Sequence, residues 1–287
     1  EWASARDEVA HAREESKQEE PIESFLALDL LRLDVGYGLI PLVDESQHGT
    51  LLEKIRAIRK QFAIDMGFVV PPIHIKDNLQ FKPGEYAFLI KGVEVGRGEL
   101  RPGSYLAMEG GSVTGKVDGI ATKEPAFGLP AIWIIGNDRE RAEMLGYTVV
   151  DAATVLATHA TELIHTHAHE MLNRQEVQNL LDLVAKNQPK LVDELVPNVV
   201  TLGGVQKVLQ GLLRERVSIR DMTTILETVA DYAKVIKQSA QLVELVRQSL
   251  SRSLVSTYLD EEGSLSALIL GADAENVIAE AIVDGEY

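Results

Sequence analysis

The sequence predicts an α+β fold of several subdomains: a mixed α/β first subdomain, a small β-rich insertion within it, and a mainly helical subdomain after it. Three observations carry this prediction. Short apolar runs broken by glycine and proline dominate residues 28–150, as strands and turns require. Residues 51–67 interrupt them with a clear helical period, so the first half mixes both element types. From Asp151 onward the 3.6-residue period takes over.

Residues 1–20 hold seven acids and three bases among few apolar side chains, and residues 1–27 read as an acidic linker without a core of its own. LLRLDVGYGLIPLVD (30–44) has the texture of strands and turns. In TLLEKIRAIRKQFAIDMG, residues Leu51, Leu52, Ile55, Ile58, Phe62 and Met66 line one helical face, and Gly67 is a left-handed stop. FVVPPIHI (68–75) reads as extended. EYAFLIKGVEVGRGEL (85–100) predicts a strand, a turn and a second strand. SYLAMEG, PAIWII and YTVV predict further short strands, and residues 102–150 form the inserted subdomain. Residues 28–101 with 151–172 make up the first subdomain, its helix capped by Asp151. Residues 173–251 make up the helical subdomain. There Asn173 with Glu176 forms a capping box, Val205, Val208, Leu209, Leu212 and Leu213 form a stripe, and Ser218 with Asp221 caps a later helix. Two crossings, at Arg101–Pro102 and Val150–Asp151, are expected to let the insertion rotate. Residues 252–287 read as the start of an incomplete C-terminal subdomain, and the first residue, Glu1, is expected to follow a preceding segment.

Charge and composition exclude several functions. The net charge is −16, from 44 acids and 28 bases. Nucleic acid is therefore not an expected partner, because phosphate binding needs clustered cations. Adsorption to an anionic membrane surface is disfavoured for the same reason. The chain has no cysteine, which excludes disulfides, thiolate nucleophiles and cysteine-bound zinc. No apolar run approaches the ~20 residues that span a bilayer, and no signal peptide is visible.

Three stretches invite a chemical reading. LATHATELIHTHAHEML (156–172) holds His159, His165, His167 and His169. On a continuous helix Glu162, His165 and His169 share a face, the geometry of a metal-dependent hydrolase, although the order H-E-x-x-H is absent. The other reading is a polar helix face on which histidines cluster. GGSVTGKV (110–117) approaches a phosphate loop, but Val117 stands where a Mg²⁺-binding hydroxyl belongs, and DGIATKEPAFGLP cannot continue as a helix. A glycine-rich hairpin is expected there. GVEVGRG (92–98) lacks dinucleotide spacing and reads as a turn between strands. With no catalytic constellation, no enzyme activity, cofactor or metal is expected; the residues point to an interaction module.

Longer stretches carry a resemblance. GYGLIPLVD (36–44), IRAIRKQFAIDMGFVVPPIHIKDN (55–78), EPAFGLPAIWI (124–134), GYTVVDAATVLATH (146–159), RQEVQNLLD (174–182) and RDMTTILETVADYA (220–233) are similar to the cytoplasm-facing region of flagellar type III export gates of the FHIPEP family. The resemblance implies a ring-forming platform under a membrane gate, at the flagellar basal body of the bacterial inner membrane. It would bind export chaperones with filament-type substrates and communicate with the export ATPase complex and the substrate-switching gate protein. By the same resemblance, the docking residues are Glu124, Phe127 and Thr158, in a hydrophobic dimple between the first and inserted subdomains. Glu124 stands where the family pattern carries Asp. An aromatic in a Gly/Pro loop suits an anchor for an amphipathic segment, with Thr158 and the carboxylate meeting polar groups at the rim. The alternative is that Phe127 fills the core of the insertion. Ile22, Phe25 and Leu26 are expected to contact a neighbouring copy in the ring. Within the family, the equivalent gate of a virulence-type secretion system is the alternative assignment.

Overall fold

The computed structural model describes residues 28–44, 46, 49–111 and 113–281, so Ile22, Phe25 and Leu26 lie outside the described residues. The chain divides into two compact units, Glu1–Asp65 with Val69–Met171, and Met66–Phe68 with Leu172–Tyr287.

The first unit is built on two four-stranded sheets. It begins with β1 (Leu31–Val35), a 3₁₀ turn (Tyr37–Leu39), α1 (Ile40–Val43), α2 (Leu51–Met66) and β2 (His74–Asp77). Strand β2 returns parallel to β1, which requires a crossover of this length. β3 (Glu85–Ile90) pairs antiparallel with β1 and with β4 (Val93–Glu99), giving the order β2-β1-β3-β4. Lys91 and Gly92 join β3 to β4 with φ of 49° and 79°, the left-handed pair of a two-residue hairpin turn whose twist matches its strands.

The second sheet follows with β5 (Ser104–Glu109), β6 (Ile120–Lys123), β7 (Pro130–Ile135), α3 (Arg139–Met144) and β8 (Tyr147–Asp151). Its order is β6-β7-β5-β8, all antiparallel. α4 (Ala152–Thr166) and α5 (Ala168–Met171) complete the unit. Alternation on β5 sends Leu106 into a core shared with Leu33, Tyr86 and Phe88 of the first sheet, Trp133 of β7 and Leu156 of α4. Ala107 faces the opposite side, where Ile134, Ala142 and Tyr147 gather. Period-two strands allow this double use of one sheet.

Two local expectations, for residues 37–43 and 110–119, are corrected. Tyr37–Val43 is helical, not strand and turn, because Pro41 enters the first turn of α1, where its missing N–H costs nothing. The stretch 110–119 is no hairpin: β7 lies between β5 and β6, so the glycines carry the chain across a neighbouring strand. In FVVPPIHI only the last two residues enter a strand, since Pro71 and Pro72 cannot donate to the ladder. Val150 and Asp151, the expected return crossing, lie within β8 and pair with Leu106 and Tyr105.

The second unit is helical: α6 (Arg174–Ala185), α7 (Pro189–Leu195), α8 (Leu202–Arg214), α9 (Met222–Tyr232), α10 (Ser239–Ser249), α11 (Ser251–Ser256) and α12 (Ala272–Ala281). Side-chain caps start the longer ones. Asn173 accepts from the Glu176 N–H, Thr201 from Gly204 and Asp221 from Thr224. Asp221 therefore caps α9 itself, while Ser218 lies outside and accepts from the Arg220 N–H. The stripe Val205, Val208, Leu209, Leu212 and Leu213 is buried, and α8 packs on α6 and α10. Gly67, at φ 88°, ends α2 as a left-handed residue. No helix among the described residues is long and apolar enough to cross a membrane.

Candidate functional site

Residues 124–129 close the β6–β7 connection, and Glu124 organises them. One carboxylate oxygen accepts from the Ala126 N–H and the other from the Phe127 N–H, both at 2.7 Å. The Glu124 N–H donates to the Leu129 carbonyl at 2.8 Å, and its own carbonyl accepts from the Gly128 N–H at 2.9 Å. Gly128 sits at φ 70°, a conformation its lack of Cβ permits. Glu124 is 4% exposed. A buried carboxylate is tolerable only when hydrogen-bonded, and charge-assisted bonds to backbone amides are the strong kind. Glu124 thus spends both oxygens on the shape of the loop rather than offering them at a rim.

The side chain so positioned is Phe127, which is 62% exposed, with Leu129 beside it also exposed. Phe127 does not fill the core of the second sheet. An aromatic held on a rigid, internally bonded loop loses little entropy when a partner covers it.

Thr158 lies on α4, whose start is fixed by Asp151 accepting from the Thr154 N–H at 2.7 Å. Thr158 is exposed, while its neighbours Ala157 and His159 are buried. His159 Nδ1 pairs with the Tyr86 hydroxyl of β3 at 2.8 Å, and its ring packs edge-on against Tyr86 and Phe88. Burial lowers the His159 pKa below the usual imidazole value, against the opposing pull of Glu124 and Glu162. Burial, and then the charge of Glu124, push the Tyr86 phenol upward. The charge of Glu124 thus acts on both members of the pair.

Sequence reasoning missed the Tyr86–His159 pair. Its signal was the spacing of Gly96 and Gly98 in β4, read as a turn. A Cβ on Gly98 would come 2.5 Å from the Tyr86 hydroxyl, and one on Gly96 3.2 Å from His159 Nε2. The two glycines leave the slot into which the pair fits. Gly98→Ala is expected to destabilise the chain by about 2 kcal/mol through overpacking, measured as a lower urea midpoint at unchanged m-value; an unchanged midpoint would show that Tyr86 shifts freely.

The other histidines do not share the expected face. α4 ends at Thr166 and α5 restarts at Ala168, with His167 at the break. His165 packs against Phe62 with ring centroids 4.9 Å apart and planes tilted by 56°, and His167 Nδ1 lies 2.7 Å from Glu170. Among the described residues, no three His, Asp or Glu side chains gather where they could hold a metal ion. Lys116 and Gly115 of the apparent phosphate loop lead into β6 and not into a helix.

Comparison with known proteins places these features in context. The model of the FHIPEP family matches residues 1–287. The chain is 47% identical over 257 residues to the flagellar biosynthesis protein FlhA of Yersinia enterocolitica, covering 90% of this chain and 37% of that protein. It is 43% identical over 274 residues to FlhA of Bacillus subtilis, covering 96% of this chain and 40% of that protein. The chain thus spans well under half the length of these curated relatives. Among solved structures, the Chlamydia pneumoniae CdsV chain from a complex of CdsV with CdsO superposes with a TM-score of 0.75 at 25% identity, over 89% of this chain and 78% of that one. The cytosolic domain of EscV from a type III secretion system, solved as a nonamer, superposes with a TM-score of 0.68 at 22% identity, over 90% and 74%.

Proposed function

The chain belongs to the FHIPEP family, and from that membership we propose that it is the cytoplasm-facing docking platform of a flagellar type III protein export gate. It receives export chaperones with bound filament-type substrates at the Glu124–Leu129 loop and Thr158. The single observation that supports this most is an aromatic, Phe127, 62% exposed at the tip of a loop whose shape is fixed by a buried carboxylate. A surface built that way presents an anchor to a partner and does no chemistry, in keeping with a non-enzymatic role.

The platform consists of a first subdomain (28–101 and 151–172), an insertion (102–150), a helical subdomain (173–251) and a further segment (252–287). It sits below the inner membrane at the flagellar basal body, assembles with other copies into a ring, and communicates with the export ATPase complex and the substrate-switching gate protein. The nonameric state of the EscV neighbour supports the ring. Ile22, Phe25 and Leu26 supply a contact between copies; a chain lacking residues 1–27 that assembles as readily as the full one would remove them from that role. Flagellar rather than virulence-type export is supported by 47% and 43% identity to flagellar relatives against 25% and 22% to the secretion-system neighbours.

The direct test is calorimetric titration of the chain with a filament-type flagellar chaperone loaded with its substrate. Saturable binding that is competed by a second flagellar chaperone, and not by a virulence-type one, is the expected result. Absence of binding to the loaded chaperone would sink the docking reading.

A further inference from the structure

The helical unit contains a cavity of 490 Å³ that the docking reading does not use. Its charged lining residues are Arg174, Lys207 and Lys237, with no Asp or Glu among the rest. In a chain of net charge −16 this is an unusual local balance. Lys237 has an ordinary occupation, since its Nζ donates to the Ala233 carbonyl at 2.8 Å just past the end of α9. Arg174 and Lys207 differ. Both are exposed, and among the described residues neither side chain has a hydrogen-bond or ion-pair partner, whereas Arg247 of the same unit is paired with both Glu215 and Glu244.

The placement of Arg174 is also unfavourable as it stands. A Cβ on Gly203 would lie 3.3 Å from Arg174 Nη2, so the guanidinium rests against the second residue of α8. The first turn of α8 contains no acid. A cation set at the positive end of a helix is repelled by it, and an anion between the two turns both into attractions. The lining also holds the apolar side chains of Val199, Ile236 and Leu242. The volume falls in the range of small-molecule sites.

We propose that this cavity binds a phosphate-bearing small molecule, gripped by Arg174, Lys207 and the Gly203 N–H, with the apolar side chains taking the organic part. A guanidinium fork matches phosphate oxygens in both number and direction, and it lies beside Gly203, ahead of the Gly204 N–H that Thr201 already takes. The cavity lies wholly within the helical unit, so this proposal stands or falls independently of chaperone docking.

The test uses the full chain and two probes, inorganic pyrophosphate and ADP, titrated calorimetrically at constant ionic strength while the Gly203 and Gly204 amide resonances are followed. Saturable binding is expected, with both resonances moving, and with Kd raised about tenfold or more by Arg174→Gln and again by Lys207→Gln, as loss of a charge-assisted contact implies. Tighter binding of ADP than of pyrophosphate supports the role of the apolar side chains; equal binding supports the phosphate contacts and removes that role. Absence of saturable binding of either probe overturns the proposal, as does binding indifferent to both substitutions. Should the two variants instead lower self-association while neither probe binds, the cavity accepts acidic side chains of a second copy, and the phosphate site is refuted.

Discussion

Phe127→Ala is expected to weaken binding of a chaperone–substrate complex by on the order of 2 kcal/mol or more, roughly thirtyfold in Kd, while leaving the fold intact. The two halves of that expectation come from one fact. The ring is 62% exposed in the free chain, so its removal takes little from the core and much from any partner that covers it. The four hydrogen bonds that close the loop involve the Glu124 carboxylate and backbone groups only, so the loop keeps its shape when the ring is gone. Phe127→Leu should recover part of the loss. Titration of the three proteins against one loaded chaperone, with circular dichroism as the control, reads both halves. Equal affinities with intact dichroism would move the docking site away from this loop.

His159→Ala is expected to cost about 3 kcal/mol of stability, because it opens a cavity beside Phe88 and strands a buried hydroxyl without an acceptor. Tyr86 is fully buried, so its hydroxyl has no water to turn to. The same pair gives a dependence on pH. Burial holds the His159 pKa below 6.5, so the folded chain binds fewer protons than the unfolded one as the solution is acidified. The stability contributed by this group is complete above pH 6.5 and is lost as pH falls toward the lower folded value. His159→Gln removes that contribution. Urea midpoints of the parent and the variant should therefore converge as pH falls from about 8 to about 5, the range in which imidazoles titrate. A constant gap across that range would mean that the imidazole does not titrate differently in the two states.

Much of the fold was legible because local signals agreed with it. Asp151 and Asn173 cap the helices they were expected to cap, and the apolar period of residues 51–66 and 205–213 is the face that is buried, with Leu52 and Ile58 only partly covered. The failures share a cause in contacts distant along the chain. The glycines at 110–119 announce a turn, but which strands that turn joins depends on β7, which comes later in the sequence. The break at His167 interrupts a helical period that runs on unbroken in the sequence. At the candidate site, Phe127 and Thr158 were named through resemblance, since neither residue type is unusual where it stands. Glu124 was read as a surface acid. Its inward turn follows from a loop closing on itself, which spacing alone does not reveal. Tyr86 and His159 are 73 residues apart, and only the paired glycines of β4 hinted that something needed room there.

Because Leu33, Phe88, Leu106, Trp133 and Leu156 belong to one packed cluster, the inner face of the first sheet closes only against the second sheet and α4, even though the second sheet keeps a smaller cluster on its other face. In hydrogen-exchange terms the two sheets form a single cooperative block. The slowest amides of β3 and β5 should open with one common free energy and respond together to a substitution in either sheet. A partner gripping Phe127 would then slow exchange at Phe88 as well, which turns a surface event into a signal readable deep inside the unit.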